Sequence, residues 1–162
     1  MIKIDVKSKY EKDEPDEVYV APEVWTTTVR VHDPVVEEWN GIRSYTSYAV
    51  SVETTYPQFQ GTHFMVRRRY NDFVWLKAQL QRHIDRQNRK RPIERLPDLP
   101  GDTVGSFFGW GRFDEAFIEK RRRGLQEFMN KVANHPHCAT QVAFIRFCRD
   151  DDMQPLIEFF QM

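Results

Sequence analysis

The sequence predicts an α+β fold in which a three-stranded antiparallel meander packs against a helical subdomain. In the first half, apolar and polar residues alternate with period two, whereas in the second half apolar residues recur at helical spacing. A long loop rich in arginine, proline and glycine is expected between the first and second helices. The 162 residues are 40% hydrophobic and 30% charged, a balance typical of one globular domain with a sizeable core.

The strands are predicted from three alternating segments. VWTTTVRV (24–31) begins the meander, SYTSYAVSVETTY (44–56) follows, and THFMVRRR (62–69) ends it. DPVVEEWNG and YPQFQG are expected to form the two turns. Period two places Arg67 and Arg69 on one face of the third strand and Arg68 on the other.

The helices follow the meander. Asn71 or Asp72 is expected to cap a first helix that ends near Gln87. A second helix is expected over 114–133, a third over 140–149, and MQPLIEFFQM closes the chain as a short apolar helix or hook. The loop over 88–111 is long for a compact domain, and such loops are usually functional or disordered.

The chain divides into an acidic lead (1–22), expected to be flexible, a folded domain (23–150) and a short helical extension (151–162). Residues 1–23 carry four lysines against seven acidic groups. The start has no apolar signal segment and no apolar run is long enough to cross a bilayer. We therefore expect a cytoplasmic protein in which Cys138 and Cys148 are buried free thiols.

Positive charge is concentrated between residues 67 and 95, although the net charge of the chain is zero. This stretch holds ten lysines and arginines against three acidic residues. Such an excess indicates an anion-binding surface. A solvated run, an import signal or a basic strand edge would give the same pattern.

Arg121 lies at the centre of the apolar arc of the second long helix. One interpretation is a snorkelling arginine or a structural ion pair. The other is a guanidinium at the mouth of a pocket for an anionic or hydroxylated ligand. Gly124 permits close approach of another segment beside this arginine.

Arg69 and Tyr70 stand where a strand leads into a helix N-terminus. Free N–H groups and the positive end of the helix dipole suit a phosphate there. The Tyr70 ring could pack against a sugar or inositol face.

The stretch GDTVGSFFGWGR (101–112) places Phe107, Phe108 and Trp110 in a glycine-rich loop. Loops lie on the surface, and tryptophan is favoured at a bilayer interface. We expect these aromatics to insert into a membrane, although exposed apolar patches also mark protein interfaces.

No catalytic residue, metal site or cofactor is expected. HPHC (135–138) lacks a second ligand pair at zinc-site spacing and is better explained as a helix cap. No nucleophile motif or phosphate-binding glycine loop occurs. Nucleic-acid binding is not expected, because the arginines do not lie on one recognition helix.

Three blocks resemble the signatures of the phox-homology (PX) domain, in the family's order: VRRRYNDFVWL (66–76), LPDLPG (96–101) and FIEKRRRGLQEFMNKV (117–132). The resemblance covers about residues 24–150. Within the family, the chain is similar to the small sorting nexins that consist of little more than a PX domain. It implies a peripheral protein on the cytosolic face of endosomal membranes that acts in sorting. The implied ligand is a phosphoinositide, most often phosphatidylinositol 3-phosphate, and trafficking proteins are possible partners.

The resemblance also assigns residues. Arg69 would hold the 3-phosphate, Tyr70 would pack under the inositol ring and Arg121 would bond the ring hydroxyls. Arg68, Arg95 and Arg112 are candidate auxiliary contacts.

The sequence departs from the family at Asp102, where a lysine usually meets the 1-phosphate. A carboxylate there repels a phosphodiester. The alternative function is therefore a PX-fold protein-interaction module whose lipid binding is weakened or lost.

Overall fold

The computed structural model of the chain describes residues 24–101 and 111–162. The expectation of a flexible acidic lead over 1–22 falls outside the described residues. So do the expectations for Asp102 and for the inserting aromatics Phe107, Phe108 and Trp110.

A three-stranded antiparallel sheet forms the first half of the domain. It consists of β1 (Thr27–Trp39), β2 (Ile42–Thr54) and β3 (His63–Arg69), in the order β1-β2-β3. The predicted meander is confirmed. Arg67 and Arg69 are exposed on one face of β3 and Arg68 is buried on the other, as period two requires.

The first turn lies later in the chain than predicted. The segment expected to turn at Asp33 continues as β1, with a shift in register between His32 and Val35. Asp33 takes a left-handed φ of 47°, so this bulge absorbs the proline without ending the strand. The chain reverses at Asn40 and Gly41, whose φ angles of 51° and 77° are those of a tight hairpin turn. The Asn-Gly pair is the sequence signal for this reversal.

The second half is helical. A single 3-10 turn (Pro57–Phe59) precedes β3, and four helices follow it: α1 (Tyr70–Asn88), α2 (Glu115–Ala133), α3 (Val142–Arg149) and α4 (Met153–Gln161). The closing segment is thus a helix rather than a hook.

The expected cap of α1 is wrong in detail. Arg69 occupies the capping position, and Asp72 lies third in the helix, where its carboxylate accepts a hydrogen bond from the Arg69 N–H at 2.8 Å. An acidic side chain at this position reaches back to the preceding backbone, which closes the first turn and holds Arg69 at the end of β3.

Helix α2 covers the outer edge of β1. The side-chain amide of Gln126 accepts a hydrogen bond from the Val31 N–H and donates one to the Val29 carbonyl, both at 2.7 Å. The amide thus forms the two hydrogen bonds that a neighbouring strand would form with these backbone groups. An unpaired strand edge is a template for pairing with another chain. These bonds also determine which part of α2 lies beside the sheet.

Arg68 is a structural residue with 1% of its surface exposed. Its guanidinium donates to the carbonyl oxygens of Phe147 (3.0 Å), Asp151 (3.3 Å) and Asp150. Burial lowers the pKa of Arg68, and Asp72 is the leading charge that opposes this shift. The expectation that Arg68 assists a bound headgroup is therefore wrong, because its donors tie β3 to the end of α3.

Candidate functional site

A pocket of about 220 Å³ opens where the sheet meets the N-terminus of α1 and the first turns of α2. Strand β2, the β3–α1 junction, the segment before α2 and α2 itself each contribute to its wall. The lining residues are Ser44, Tyr45, Thr46, Tyr48, Arg69, Tyr70, Asn71, Arg112, Phe113, Phe117 and Arg121.

The junction of β3 and α1 places Arg69 at the rim of this pocket. Its guanidinium carbon lies 5.6 Å from the centre of the Tyr45 ring. Among the residues that the structure describes, the nearest carboxylate oxygen is on Asp72, 3.9 Å from the Arg69 Nε. With 51% of its side chain exposed, Arg69 has donors available to a ligand in the pocket.

Arg121 lies between two aromatic rings. Its guanidinium carbon is 3.8 Å from the centre of the Tyr70 ring and 4.6 Å from that of Phe117. A cation over aromatic faces is held by the ring quadrupoles. Arg121 forms no ion pair with any of the residues that the structure describes, which argues against the structural ion pair and favours the pocket interpretation.

Tyr70 is positioned from the proline-rich loop. Its hydroxyl donates to the Pro100 carbonyl at 3.0 Å. Pro100 packs so closely on α2 that a Cβ added at Gly124 would lie 2.3 Å from the Pro100 Cβ. Gly124 thus permits the close approach predicted beside Arg121, and the partner is this loop.

Arg112 adds a third cation to the pocket. It donates to the Ser44 carbonyl at 3.2 Å, and its guanidinium carbon lies 4.6 Å from the Phe113 ring centre. Tyr48 forms part of the pocket floor and is 1% exposed. Burial raises the pKa of Tyr48 to about 12, so its hydroxyl remains a neutral hydrogen-bonding group at physiological pH.

The pocket is therefore positively charged. Three arginines line it, and no aspartate or glutamate is present among its described lining residues. The N-terminus of α1, at Tyr70 and Asn71, adds the positive end of the helix dipole. Hydroxyl groups and aromatic faces complete a surface suited to an anion that also carries hydroxyl groups.

The structure brings together most, but not all, of the predicted site. Arg69, Tyr70, Arg121 and Arg112 line one pocket. Arg95 does not reach it, because its guanidinium is 3.3 Å from Asp98 and its side chain is 86% exposed.

Sequence reasoning missed Ser44, Thr46 and Phe113 as lining residues. Thr46 lies two positions before Tyr48 on one face of β2, and Ser44 lies four positions before it, next to the register shift at Glu37 and Glu38. That alternation was a usable signal once Tyr48 was placed on the inner face.

In the HPHC segment, both ring nitrogens of His135 form hydrogen bonds with backbone groups. His135 is 3% exposed, and its Nε2 lies 2.9 Å from the Glu94 carbonyl. Its Nδ1 accepts a hydrogen bond from the His137 N–H at 3.1 Å. Among residues 24–101 and 111–162, no group of three histidine, cysteine, aspartate or glutamate side chains is placed to hold a metal ion.

The fold and the pocket define a class: a small α+β domain with a basic, aromatic-lined pocket at a strand–helix junction. No helix in the described residues is long and apolar enough to cross a bilayer. The chain belongs to the PX domain family, whose sequence profile matches residues 56–151.

Sorting nexins are among the similar proteins. Human sorting nexin-11 is 42% identical over 105 residues, which are 65% of this chain and 34% of that protein. Human sorting nexin-3 is 36% identical over 111 residues, covering 66% of this chain and 64% of that protein. The chain thus spans about a third of the sorting nexin-11 length.

A solved structure supports the same fold. The crystal structure of a designed CISK-PX domain superposes with a TM-score of 0.57 at 26% identity, covering 75% of this chain and 97% of that one. The α+β prediction and the family resemblance are both confirmed.

Proposed function

We propose that this protein binds a 3-phosphorylated inositol lipid, phosphatidylinositol 3-phosphate in particular, on the cytosolic face of endosomal membranes and acts there in sorting. PX domains bind phosphoinositide-containing membranes. The domain proper would span 23–150, with 1–22 as a lead and 151–162 as an extension.

The observation that carries the proposal is the grouping of Arg69, Tyr70 and Arg121 in one pocket, whose described lining residues include no carboxylate. Arg69 would hold the 3-phosphate beside the N-terminus of α1. The Tyr70 ring would pack against the inositol, while Arg121, oriented by two rings, would donate to hydroxyls on the far side. Arg112 is an additional candidate contact.

The tip of the β1–β2 hairpin supports a membrane-facing orientation. Trp39 and Ile42 are cross-strand partners on either side of the turn, with 75% and 71% of their surfaces exposed. Ile42 lies two residues before Ser44, which lines the pocket, so the tip is about 7 Å beyond the pocket wall. An exposed tryptophan beside a headgroup pocket is suited to the bilayer interface. Phe107, Phe108 and Trp110 would contribute to the same surface.

Liposome flotation tests the proposal. The protein is mixed with vesicles that carry each phosphoinositide in turn. We expect selective binding to phosphatidylinositol 3-phosphate. Arg69→Ala should weaken it roughly 10- to 100-fold, because a hydrogen bond to a charged group is worth about 1.5–3 kcal/mol. Arg30→Ala, an exposed arginine of β1 outside the pocket, is the matched control and should bind as the parent does.

The role of Asp102 is tested alongside. If the parent protein binds no phosphoinositide and Asp102→Lys binds, the protein-interaction function replaces the lipid-binding one. If Arg69→Ala and Arg30→Ala lose affinity equally, binding is a diffuse charge effect, and the assignment of the pocket is refuted.

A further inference from the structure

The C-terminal end of α1 carries a group of five exposed cations, here called the α1 basic cluster. In the described part of the chain, no acidic side chain lies within ion-pair distance of any of them. The neighbouring Asp85 accepts a hydrogen bond from Gln81 at 2.8 Å instead. The cluster consists of Arg82, Arg86, Arg89, Lys90 and Arg91.

The cluster forms a stripe on the outer face of α1. Arg82, Arg86 and Arg89 follow the spacing of one helix face, opposite the buried Leu80 and Ile84. Like charges at these spacings repel one another. The helix dipole favours cations in the last turn, which accounts for Arg86 and Arg89 but not for Arg82. A counter-charge from outside the described residues would relieve the repulsion.

The bilayer is a poor candidate for that counter-charge, a step that rests on the proposed function. The pocket lies at the N-terminus of α1, and the helix has 19 residues. At 1.5 Å per residue the cluster therefore begins, at Arg82, about 18 Å away along the axis, and the helix ends about 27 Å away. A domain whose pocket and hairpin tip face the membrane directs this end of α1 elsewhere.

The N-terminal side of β1 approaches the same end of the molecule. Helix α2 runs antiparallel to β1, because Arg122 donates to the Val31 carbonyl and Gln126, one turn later, donates to that of Val29. Beyond α2, His135 contacts the Glu94 carbonyl, three residues after the cluster. The start of β1 and the end of α2 therefore lie at the same end of the domain as the C-terminal end of α1.

Residues 11–17 of the chain have the complementary charge. Five of these seven residues are acidic and one is a lysine; the acidic ones are Glu11, Asp13, Glu14, Asp16 and Glu17. Seven residues lie between Asp16 and Val24, the first described residue, and a tether of eight Cα–Cα steps spans at most roughly 29 Å. A short tether gives a high effective concentration, of the order of mM.

We infer that the acidic segment 11–17 docks on the α1 basic cluster of the same chain. The contact shields these cations from other polyanions and leaves the lipid pocket, at the opposite end of α1, open. It is an ionic contact between exposed groups and is therefore sensitive to salt.

Paramagnetic relaxation measures this contact without any lipid. Ser8→Cys provides a single reactive thiol for a nitroxide label on the full chain, because Cys138 and Cys148 are buried. At about 0.01 M salt, where the Debye length is near 30 Å, the amide peaks of residues 82–91 should lose at least half of their intensity. They should recover at about 1 M salt, where that length is near 3 Å.

Two variants with four substitutions each test whether the acidic charges are required. In the first, Asp13, Glu14, Asp16 and Glu17 are replaced by the corresponding amides, and the broadening should be abolished. In the control, Lys3, Lys7, Lys9 and Lys12 are replaced by glutamine, and the broadening should remain. Arg82→Gln with Arg86→Gln, at exposed positions, should release the label as well. Absence of broadening at low salt, or its persistence in the amide variant, would overturn the inference.

An experiment with vesicles shows whether the α1 basic cluster binds the acidic segment or a membrane surface. If the label causes no broadening at low salt and phosphatidylserine vesicles without phosphoinositide attenuate the peaks of residues 82–91, the cluster is a bilayer surface and the inference fails. Since the label experiment contains no lipid, its failure is distinct from a failure of headgroup binding.

Discussion

Adjacent arginines have opposite roles at the end of β3. Arg68 points into the core and is saturated by carbonyl oxygens, whereas Arg69 points outward with half of its side chain exposed. The alternation of a strand assigns the two faces. Which face becomes core depends on the helices that pack there, here the end of α3.

Arg68→Met should destabilise the fold strongly. The variant leaves the Phe147 and Asp150 carbonyls without their donor, and each buried acceptor left unsatisfied costs about 1–3 kcal/mol. Urea unfolding monitored by tryptophan fluorescence measures the change. Arg30→Met, at an exposed position, should stay within roughly 0.5 kcal/mol of the parent. Equal stability of the two variants would show that Arg68 is not structural.

Elements, rather than single residues, create the surface proposed to face the membrane. The hairpin extends β1 and β2 past the pocket and carries two apolar side chains at its tip. The hydrogen bonds of Gln126 to β1 fix the position of helix α2 along the edge of the strand. Arg121 of α2 thereby lies against the Tyr70 ring.

Trp39→Ser with Ile42→Ser should weaken binding to phosphoinositide vesicles by roughly 10-fold or more, because each side chain loses apolar burial in the interface. Affinity for a soluble inositol phosphate headgroup should be unchanged, since neither residue lines the pocket. Flotation and calorimetry measure the two quantities. The control is Met65→Ser, which alters a side chain 67% exposed on another part of the sheet. Loss of headgroup affinity in the hairpin variant would show that the tip stabilises the pocket instead.

Gly124→Ala tests the contact between α2 and the proline-rich loop. Alanine favours a helix over glycine by about 1 kcal/mol, but its Cβ would lie 2.3 Å from a ring carbon of Pro100. The rigid ring cannot yield as a flexible side chain would, so we expect a net loss of about 1–3 kcal/mol. Headgroup affinity should fall too, because Pro100 positions Tyr70. Urea unfolding and headgroup calorimetry report the two effects.

The control is Glu127→Ala, on the exposed face of α2, which should change neither stability nor headgroup affinity. A Gly124→Ala variant that is more stable than the parent would contradict the contact with Pro100.

At the scale of the whole molecule, one core joins the sheet to the helices. Phe59, from the turn before β3, packs edge-on against Phe144 of α3, and Phe73 of α1 packs against Phe147. Leu156 of α4 is fully buried, which places the C-terminal helix on the domain.

The two thiols should report global unfolding. Both are fully buried, and burial raises the pKa of Cys138 to about 12 and that of Cys148 further. At pH 8 each thiol remains protonated in the fold, so neither should react with a disulfide reagent until the core opens. Labelling followed in increasing urea should give one transition that coincides with loss of tryptophan signal. Rapid reaction of either thiol in native buffer would indicate local opening near α3.

Strand alternation and helical spacing were sufficient for the three strands and for the four helical segments. The position of Arg121 within an apolar arc was likewise readable from α2 alone. The length of β1 was not, because a bulge at Asp33 and a turn at Asn40-Gly41 compete with the apparent turn at Asp33-Pro34. The burial of Arg68 and the position of Arg95 outside the described pocket lining were not predictable, because charge along a chain does not reveal which partner a guanidinium will find in space.

The order of elements, the family and the residue types that meet at the pocket could be predicted from local periodicity and short motifs. Which arginines share a cavity depends on the packing of distant elements. Arg69 and Arg121 are 52 positions apart and meet because Gln126 places α2 against β1 and Gly124 lets Pro100 bring Tyr70 beneath the guanidinium. Such long-range packing has no local signature, because it depends on contacts between elements distant in the chain.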